Sequence, residues 1–277
     1  MIDSRPLVSV LMTAYNREAF IGQAIESVLA STYTNFELIV VDDVSSDGTV
    51  GIARELAESD KRIKVFVNEA NLTDYPNRNK AASYATGKYL KYVDSDDILY
   101  PFGLEMMVYR MECHPEAAVG LAKRGLSDRP FPVLLQPRES FYLNFVEEFY
   151  LFSNAPTSAI INRKLFYDIG CFSGVNQFGD YEFWLRIAAR FPILLMEGDI
   201  SWDRDHEGSE KNKDDIFFKN KLRYQITKQA LQNSNNPLRE QEKQIALKRA
   251  RDGYRKFIIS RMLKGDIKKG LSLINSI

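Results

Sequence analysis

Three carboxylates stand within four residues at Asp94-Ser95-Asp96-Asp97, directly after the apolar run YLKYV. At that spacing the charges repel unless something positive lies between them. Hard divalent cations take oxygen ligands, and Mg2+ or Mn2+ binds one or two carboxylates together with substrate phosphates. Alone, the tetrapeptide reads equally well as a metal site or as a solvated acidic turn capping the next helix. Its place after a buried run favours the cation, because unpaired acids are costly to bury.

Two more polar clusters close apolar runs in the same way. Thr13-Ala14-Tyr15-Asn16 ends LVSVLMTAY, and Asp42-Asp43 ends FELIVVDD. A carboxylate at the second could accept hydrogen bonds from a base or a ribose, with Asp47-Gly48-Thr49 turning into a helix. A plain turn with an N-cap is the simpler alternative. In open parallel sheets, ligands bind outside the carboxyl ends of the strands, so the three clusters would share one edge. Neither GxGxxG nor GxxxxGKS/T occurs, which counts against a dinucleotide oxidoreductase and a P-loop NTPase.

The elements needed to build that edge are present. LVSVLMTAY, FELIVVDD, RIKVFVN, KYLKYVD and AAVGLAK read as strands, the first two as continuous buried runs. Between them, Arg17 to Leu29, Asp47 to Ala57, Asn77 to Ala85 and Pro101 to Glu112 read as helices, the last with proline near its first turn. The order predicts an α/β fold, a mostly parallel sheet with helices on both faces. Further on, GLSDRPFPVLLQP reads as a loop and SFYLNFVEEFYLF as a helix lining a cleft. TSAIINR reads as a strand, Gly179 to Arg190 as a helix with Trp184 and Leu185 inward, and PILLMEG and ISWDRDH as short strands. From about Asp214 the sequence is basic and helix-forming, broken at Asn235-Asn236-Pro237, and no internal repeat is visible.

Composition sets the outer bounds. The chain has 277 residues, 45% of them hydrophobic, enough for one sizeable domain with an appendage or two small ones. No apolar run approaches the length of a membrane span. The N-terminal apolar stretch lacks a basic lead and reads as a first strand, not a signal peptide. Cys113 and Cys171 have neither metal-ligand spacing nor a disulfide framework, which fits a cytoplasmic location. His114 and His206 are too few for a histidine-rich metal site. Net charge is zero, but residues 211–277 hold 17 basic against 6 acidic residues, leaving that region +11 and the rest −11. Such a tail is either a solvated helical face or a surface drawn to an anionic membrane or acceptor. No feature calls for a nucleic-acid partner.

Taken in order, VSVLMTAYNRE, IxxAIxSVLxSTYxNFELIVVDDVSSDGT, PNRNKAASYATGKYLKYVDSDDILYP and GDYEFWLRIA resemble the family 2 glycosyltransferases over about residues 7 to 190. The resemblance is to the type that builds bacterial surface glycans. It implies a Rossmann-like GT-A domain over residues 1–210 and a basic helical extension over 211–277. It implies a nucleotide-diphosphate sugar donor, a UDP-sugar being the first expectation, and inverting transfer to a glycan or lipid-linked hydroxyl. Thr13 and Tyr15 would hold the base, with the tyrosine ring free to stack. Asp43 would bind the base with support from Asp42, and Arg78 would contact base or diphosphate. Asp96 would meet the ribose and Asp97 a Mn2+ or Mg2+ ion, with Asp94 opening the turn; the division of ligands among the three stays open.

Asp180 stands where the family's catalytic base lies in a Glu-Asp pair, but Gly179 replaces the glutamate. That departure keeps a second class in view, a nucleotide-binding relative without transfer activity. WDRDHEGSE resembles the family's late Arg-x-His-x-Gly-Ser element, by which Arg204 and His206 would close over the diphosphate or add a metal ligand. QxxRW and membrane helices are missing, so one addition per encounter is expected, in the cytoplasm or at the inner face of the membrane. In DGYRKFIISRML, Tyr254, Phe257, Ile258 and Met262 share a helical face. That stripe could lie on a membrane, pack on the body, or pair with a second copy as a homodimer.

Overall fold

The computed structural model describes residues 5–123, 130–206 and 215–274. In chain order the elements are β1 (Val8–Ala14), α1 (Ile21–Leu29), β2 (Phe36–Asp42), α2 (Thr49–Ser59), β3 (Ile63–Val67), α3 (Asp74–Ser83) and β4 (Tyr89–Tyr92). There follow β5 (Ile98–Leu99), α4 (Gly103–Cys113), β6 (Val119–Lys123), β7 (Val133–Leu135), α5 (Pro137–Phe145), β8 (Ala159–Asn162) and α6 (Arg163–Asp168). The chain continues with α7 (Gly179–Ala188), β9 (Ile193–Glu197), β10 (Ser201–Trp202), α8 (Ile216–Gln232), α9 (Glu240–Leu263) and α10 (Ile267–Ile274).

Eight strands form one sheet in the order β3-β2-β1-β4-β8-β6-β9-β7. The first four run parallel, as the alternating sequence predicts. β8 is antiparallel to both of its neighbours, β6 and β9 are parallel, and β7 is an antiparallel edge. The continuous apolar runs follow from burial on both faces. Val8, Val10 and Met12 pack against α1 and α4, whereas Leu11 packs with Ala81 and Ala82 of α3. Strand side chains alternate between faces, so one seven-residue strand feeds two cores.

The buried strands also carry charge. Glu37 on β2 is reached by Ser9 Oγ at 2.6 Å, Thr86 N at 2.8 Å and Lys64 Nζ at 2.8 Å. Burial alone would raise its pKa, but these donors outweigh it and hold the carboxyl at about 2.

Two expectations are corrected. VLL, read as loop, is the edge strand β7, bounded by Pro132 before it and Pro137 in the next helix; the preceding 124–129 stretch lies outside the described residues. The helix read over SFYLNFVEEFYLF ends at Phe145, because Glu148 and Tyr150 take positive φ and Asn144 Oδ1 captures the Phe152 N–H. The stripe in α9, left open between a membrane, the body and a second copy, packs on the body. Tyr254 and Ile258 are buried, Tyr254 stacks on Tyr224 at 4.8 Å, Phe257 meets Phe217 at 5.6 Å, and Met262 fills the space over Gly270. The break at Asn235-Asn236-Pro237 separates α8 from α9 as the sequence suggests.

Candidate active site

The acidic turn begins two residues beyond β4 and closes through Asp97 N donating to the Asp94 carbonyl at 3.1 Å. One carboxylate oxygen each from Asp94, Asp96 and Asp97 lies within 4.8 Å of the others. Every one of these carboxylates meets a donor carried by a different element. Arg78 of α3 donates to Asp94 at 2.8 Å, and Arg17, between β1 and α1, donates to Asp96 at 3.0 Å. The Arg204 backbone N–H donates to Asp97 at 2.9 Å.

Arg204 and His206 arrive there because β10 pairs with β5, Trp202 opposite Ile98, which lays residues 203–206 over the turn. His206 Nε2 lies 3.1 Å from Asp96 Oδ2, and its ring packs on Phe20 at 4.6 Å. It stands beside the acidic triplet, against Asp96. Arg204 Nε also donates to the Asp96 carbonyl at 3.0 Å. The Gly-Ser part of the late element, residues 208 and 209, lies outside the described residues.

Asp97 is the buried member. Desolvation pushes its carboxyl up to about 7; the Arg204 N–H pulls it down, and the charges of Asp94, Asp203 and Asp96 push it further up. A hard cation would relieve that repulsion, and an all-oxygen set held this closely fits Mg2+ or Mn2+.

The neighbouring strand ends form a second, smaller wall. Thr13 is half-buried near the end of β1, and Tyr15 just beyond it is 50% exposed. Asn16 takes φ 51° and clasps the next loop, its Oδ1 accepting from Ser46 N at 2.9 Å and its N–H donating to Ser45 Oγ at 2.8 Å. Asp42 is buried and accepts from Ser45 N at 2.8 Å. Asp43 accepts from Asn68 Nδ2 at 2.8 Å, Leu72 N at 2.8 Å and Thr73 N at 2.9 Å. A carboxylate has about four acceptor positions, so Asp43 retains one beyond these bonds. Arg78 is spanned between Asp74 at 2.7 Å and Asp94 at 2.8 Å, above the Tyr92 ring. Burial opposes its charge, but the two carboxylates hold its pKa well above the ordinary value.

Asp180 lies in the first turn of α7, where a negative charge is favoured by the helix dipole. Its Oδ1 accepts from Tyr181 N at 2.6 Å. Desolvation raises its pKa; the Tyr181 N–H, the Tyr75 hydroxyl and Arg78 pull it back, and Asp74 raises it again. Arg78, which pairs with Asp94, is thus near enough to Asp180 for its charge to be felt there. As expected, Trp184 and Leu185 of α7 point inward.

Several residues of this site escaped sequence reasoning. Arg17 sits inside a quoted motif, yet nothing local indicates that it reaches Asp96. Tyr75 and Asp74 precede Arg78 without any motif of their own. Lys91 did leave a signal, a lysine within the apolar run YLKYV. It is fully buried, donates to the Thr157 carbonyl, and is pulled down to about 7 by burial, with Asp94, Asp203 and Asp97 drawing it back up.

A parallel sheet with an acidic turn at its carboxyl edge, flanked by a mixed half, defines an α/β protein of GT-A type. The chain belongs to glycosyl transferase family 2, whose family model matches residues 9–176. That stretch includes every strand-end cluster and stops four residues short of Asp180. It is 45% identical over 105 residues to the Escherichia coli UDP-Glc:alpha-D-GlcNAc-diphosphoundecaprenol beta-1,3-glucosyltransferase WfgD, covering 38% of this chain and 41% of that one. The chain spans less than half the length of such curated relatives.

In fold it is similar to Staphylococcus aureus TarS residues 1–349 in complex with UDP-GlcNAc, with a TM-score of 0.68 and 22% identity over 87% of this chain and 70% of that one. It is also similar to the mannosyltransferase PcManGT from Pyrobaculum calidifontis in complex with GDP-Man and Mn2+, with a TM-score of 0.63 and 17% identity over 99% and 80%.

Proposed function

We propose that this chain transfers a sugar, with inversion, from a nucleotide-diphosphate sugar to a hydroxyl of a glycan or lipid-linked acceptor, with a UDP-sugar as donor. The observation that carries the reading is the close acidic triplet Asp94, Asp96 and Asp97 just beyond β4, with Asp180 near enough to Arg78, the partner of Asp94, to feel its charge. Thr13, Tyr15 and Asp43 take the base, Asp42 braces their loop, and Asp96 takes the ribose. Asp97, with Asp94, Asp96 or His206 completing the set, would hold Mn2+ or Mg2+, which when bound supplies Lewis acidity to the diphosphate. Arg17, Arg78 and Arg204 offer guanidinium donors to phosphate oxygens at the same place.

Asp180 takes the proton of the acceptor hydroxyl as that oxygen attacks the anomeric carbon. The bond from that carbon to the diphosphate breaks, and the nucleoside diphosphate leaves. One carboxylate base suffices, unlike the two-carboxylate arrangement of a glycosidase. A thermal-shift screen of nucleoside diphosphates with and without Mn2+ tests donor and cation together. At ligand near a hundred times Kd, UDP with Mn2+ is expected to raise Tm by about 5–10 °C. A larger shift with GDP would replace the base assignment, and no shift with any nucleotide would remove the reading.

The lipid-linked class of acceptor draws support from the relative WfgD, whose name specifies one, and from the C-terminal hairpin. Among the described residues no helix is long and apolar enough to cross a membrane. Yet Ile259 and Leu263 of α9 and Ile267 and Leu271 of α10 are exposed, Leu263 at 84%, with Arg255, Lys256, Lys264 and Lys268 exposed among them. Apolar side chains ringed by cations suit an anionic bilayer surface. The protein is expected to pellet with phosphatidylglycerol vesicles, and the double variant Leu263→Asp with Ile267→Asp to pellet several-fold less. Equal, negligible pelleting of both would overturn the membrane contact and leave the transfer chemistry untouched.

A further inference from the structure

We propose that the cavity between α7 and the α8–α9 pair is the acceptor site, and that it takes the sugar-diphosphate end of a lipid-linked acceptor. The inference rests on the reading of the chain as a transferase to a lipid-linked hydroxyl and says where that acceptor sits.

The cavity holds about 320 Å3, within the range that small ligands use. The end of α5 and the loop after it, α7, α8 and α9 all contribute to its wall. Its α7 residue is Tyr181, the chain neighbour of the candidate base Asp180.

An orphaned hydroxyl stands in that wall. Tyr254 is 5% exposed and stacks on Tyr224 at 4.8 Å, yet its buried hydroxyl has no hydrogen-bond partner among the described residues. A buried phenol normally finds one. Tyr181 shows the ordinary case, pairing with Thr227 Oγ1 at 2.8 Å. A sugar hydroxyl would supply what Tyr254 lacks.

Gly253 is a second sign of an occupant. It stands inside the 24-residue α9, where glycine costs helix stability relative to alanine. Packing does not demand it, since a Cβ added there would meet nothing within 4 Å. The glycine keeps one wall of the cavity clear.

Charge gives the class of ligand. Arg223 and Arg249 both line the cavity, against one carboxylate, the exposed Glu148, 3.5 Å from Arg249. Arg223 lies over the Tyr181 ring at 5.0 Å and donates to Ser153 Oγ at 2.8 Å, and Arg249 donates to the Val146 carbonyl. Each guanidinium carries more N–H donors than these contacts use. Beside the cavity, burial and the Arg223 charge pull Lys123 down to about 8. Cations gathered this way invite an anion, and paired guanidiniums suit the oxygens of a diphosphate. Tyr150, 58% exposed and held at φ 53°, adds a ring to the same wall. Rings and a free hydroxyl for a sugar, beside cations for a diphosphate, describe the two joined parts of one acceptor. From Arg249, α9 runs about 15 Å on to Ile259 in the exposed apolar hairpin. The lipid end would lie toward that hairpin.

The probes are glucosyl and N-acetylglucosaminyl diphosphates esterified to a decyl chain. They are titrated by calorimetry into protein whose donor site is filled with UDP and Mg2+. The matching decyl glycosides without phosphate, and inorganic diphosphate, are the controls. One of the esters is expected to bind about tenfold tighter than any control. Gly253→Leu fills space that the helix leaves open, so its Tm should equal or exceed that of wild type while the ester binds about tenfold more weakly. Tyr254→Phe should melt no lower than wild type, because an unpaired buried hydroxyl is gone, and bind the ester about fivefold more weakly. Arg223→Gln can still donate to Ser153 but should lose the preference for ester over neutral glycoside. The UDP and Mn2+ thermal shift of all three variants should match wild type, which separates failure here from failure of the nucleotide reading. Equal affinity of wild type, Gly253→Leu and Tyr254→Phe for the esters, or no binding to wild type at millimolar probe, overturns the acceptor site and leaves donor binding intact. Neutral glycosides binding as tightly as the esters would overturn the diphosphate assignment. Inorganic diphosphate binding as tightly would overturn the sugar and lipid assignment.

Discussion

An Asp180→Asn protein is expected to keep its fold and its nucleotide affinity and to lose sugar transfer by roughly a thousandfold. Asparagine matches aspartate in shape, and its carbonyl can still accept from Tyr181 N, so α7 keeps its first turn. What it cannot do is accept the proton of the acceptor. The loss should fall on kcat alone, since Asp180 is assigned to the acceptor's proton and the nucleotide to the strand-end residues. Single-turnover UDP release beside the UDP and Mn2+ thermal shift separates the two effects. The wild-type rate should also fall as pH drops through the Asp180 pKa, which burial raises above the usual carboxylate range. A rate for the variant near wild type would take Asp180 out of the chemistry and leave nucleotide binding intact.

The same pocket bears on whether the chain has lost activity. In the sequence, Gly179 in place of glutamate reads as a missing catalytic partner. In the structure the glycine leaves the space that the buried Tyr75 ring fills. The missing side chain at 179 is therefore a packing requirement and by itself no sign of lost turnover.

Much of the fold was legible because its central strands are buried on both faces. β1, β2 and β4 appear in the sequence as largely apolar runs, broken only by Ser9, Glu37 and Lys91 before the polar residues that end them and mark the site edge. Elements set by distant partners were not legible. β7 is three residues long and exists only because β9 offers an edge. The end of α5 is set by positive φ at Glu148 and Tyr150, neither of them glycine. Periodicity put Tyr254 and Ile258 on one helical face, but did not show that α8 would cover them. Within the site, the acidic turn was readable from type and spacing. Its arginine shell was not, since Arg17 and Arg204 reach it from opposite ends of the chain.

Asp97→Asn carries the opposite pair of signs and so tests the acidic turn most sharply. Without metal, the variant is expected to melt higher than wild type, by about 1–3 kcal/mol in stability. Three carboxylate oxygens within 4.8 Å repel, Asp97 is the buried member, and asparagine can still accept the Arg204 N–H. With saturating Mn2+ and UDP the order should reverse. The wild type gains about 3 kcal/mol from ligand near a hundred times its Kd, and the variant gains little, because a neutral amide is a poor ligand for a hard cation. Calorimetric titration of Mn2+ in the presence of UDP reads the lost affinity without needing turnover. If Asp97→Asn binds Mn2+ like wild type, the cation is not held by this turn. If instead it melts lower than wild type in both states, the carboxylate is a structural member of the β5–β10 contact. The two-signed outcome belongs only to a site that keeps like charges close for a cation to join, at a cost to the metal-free fold.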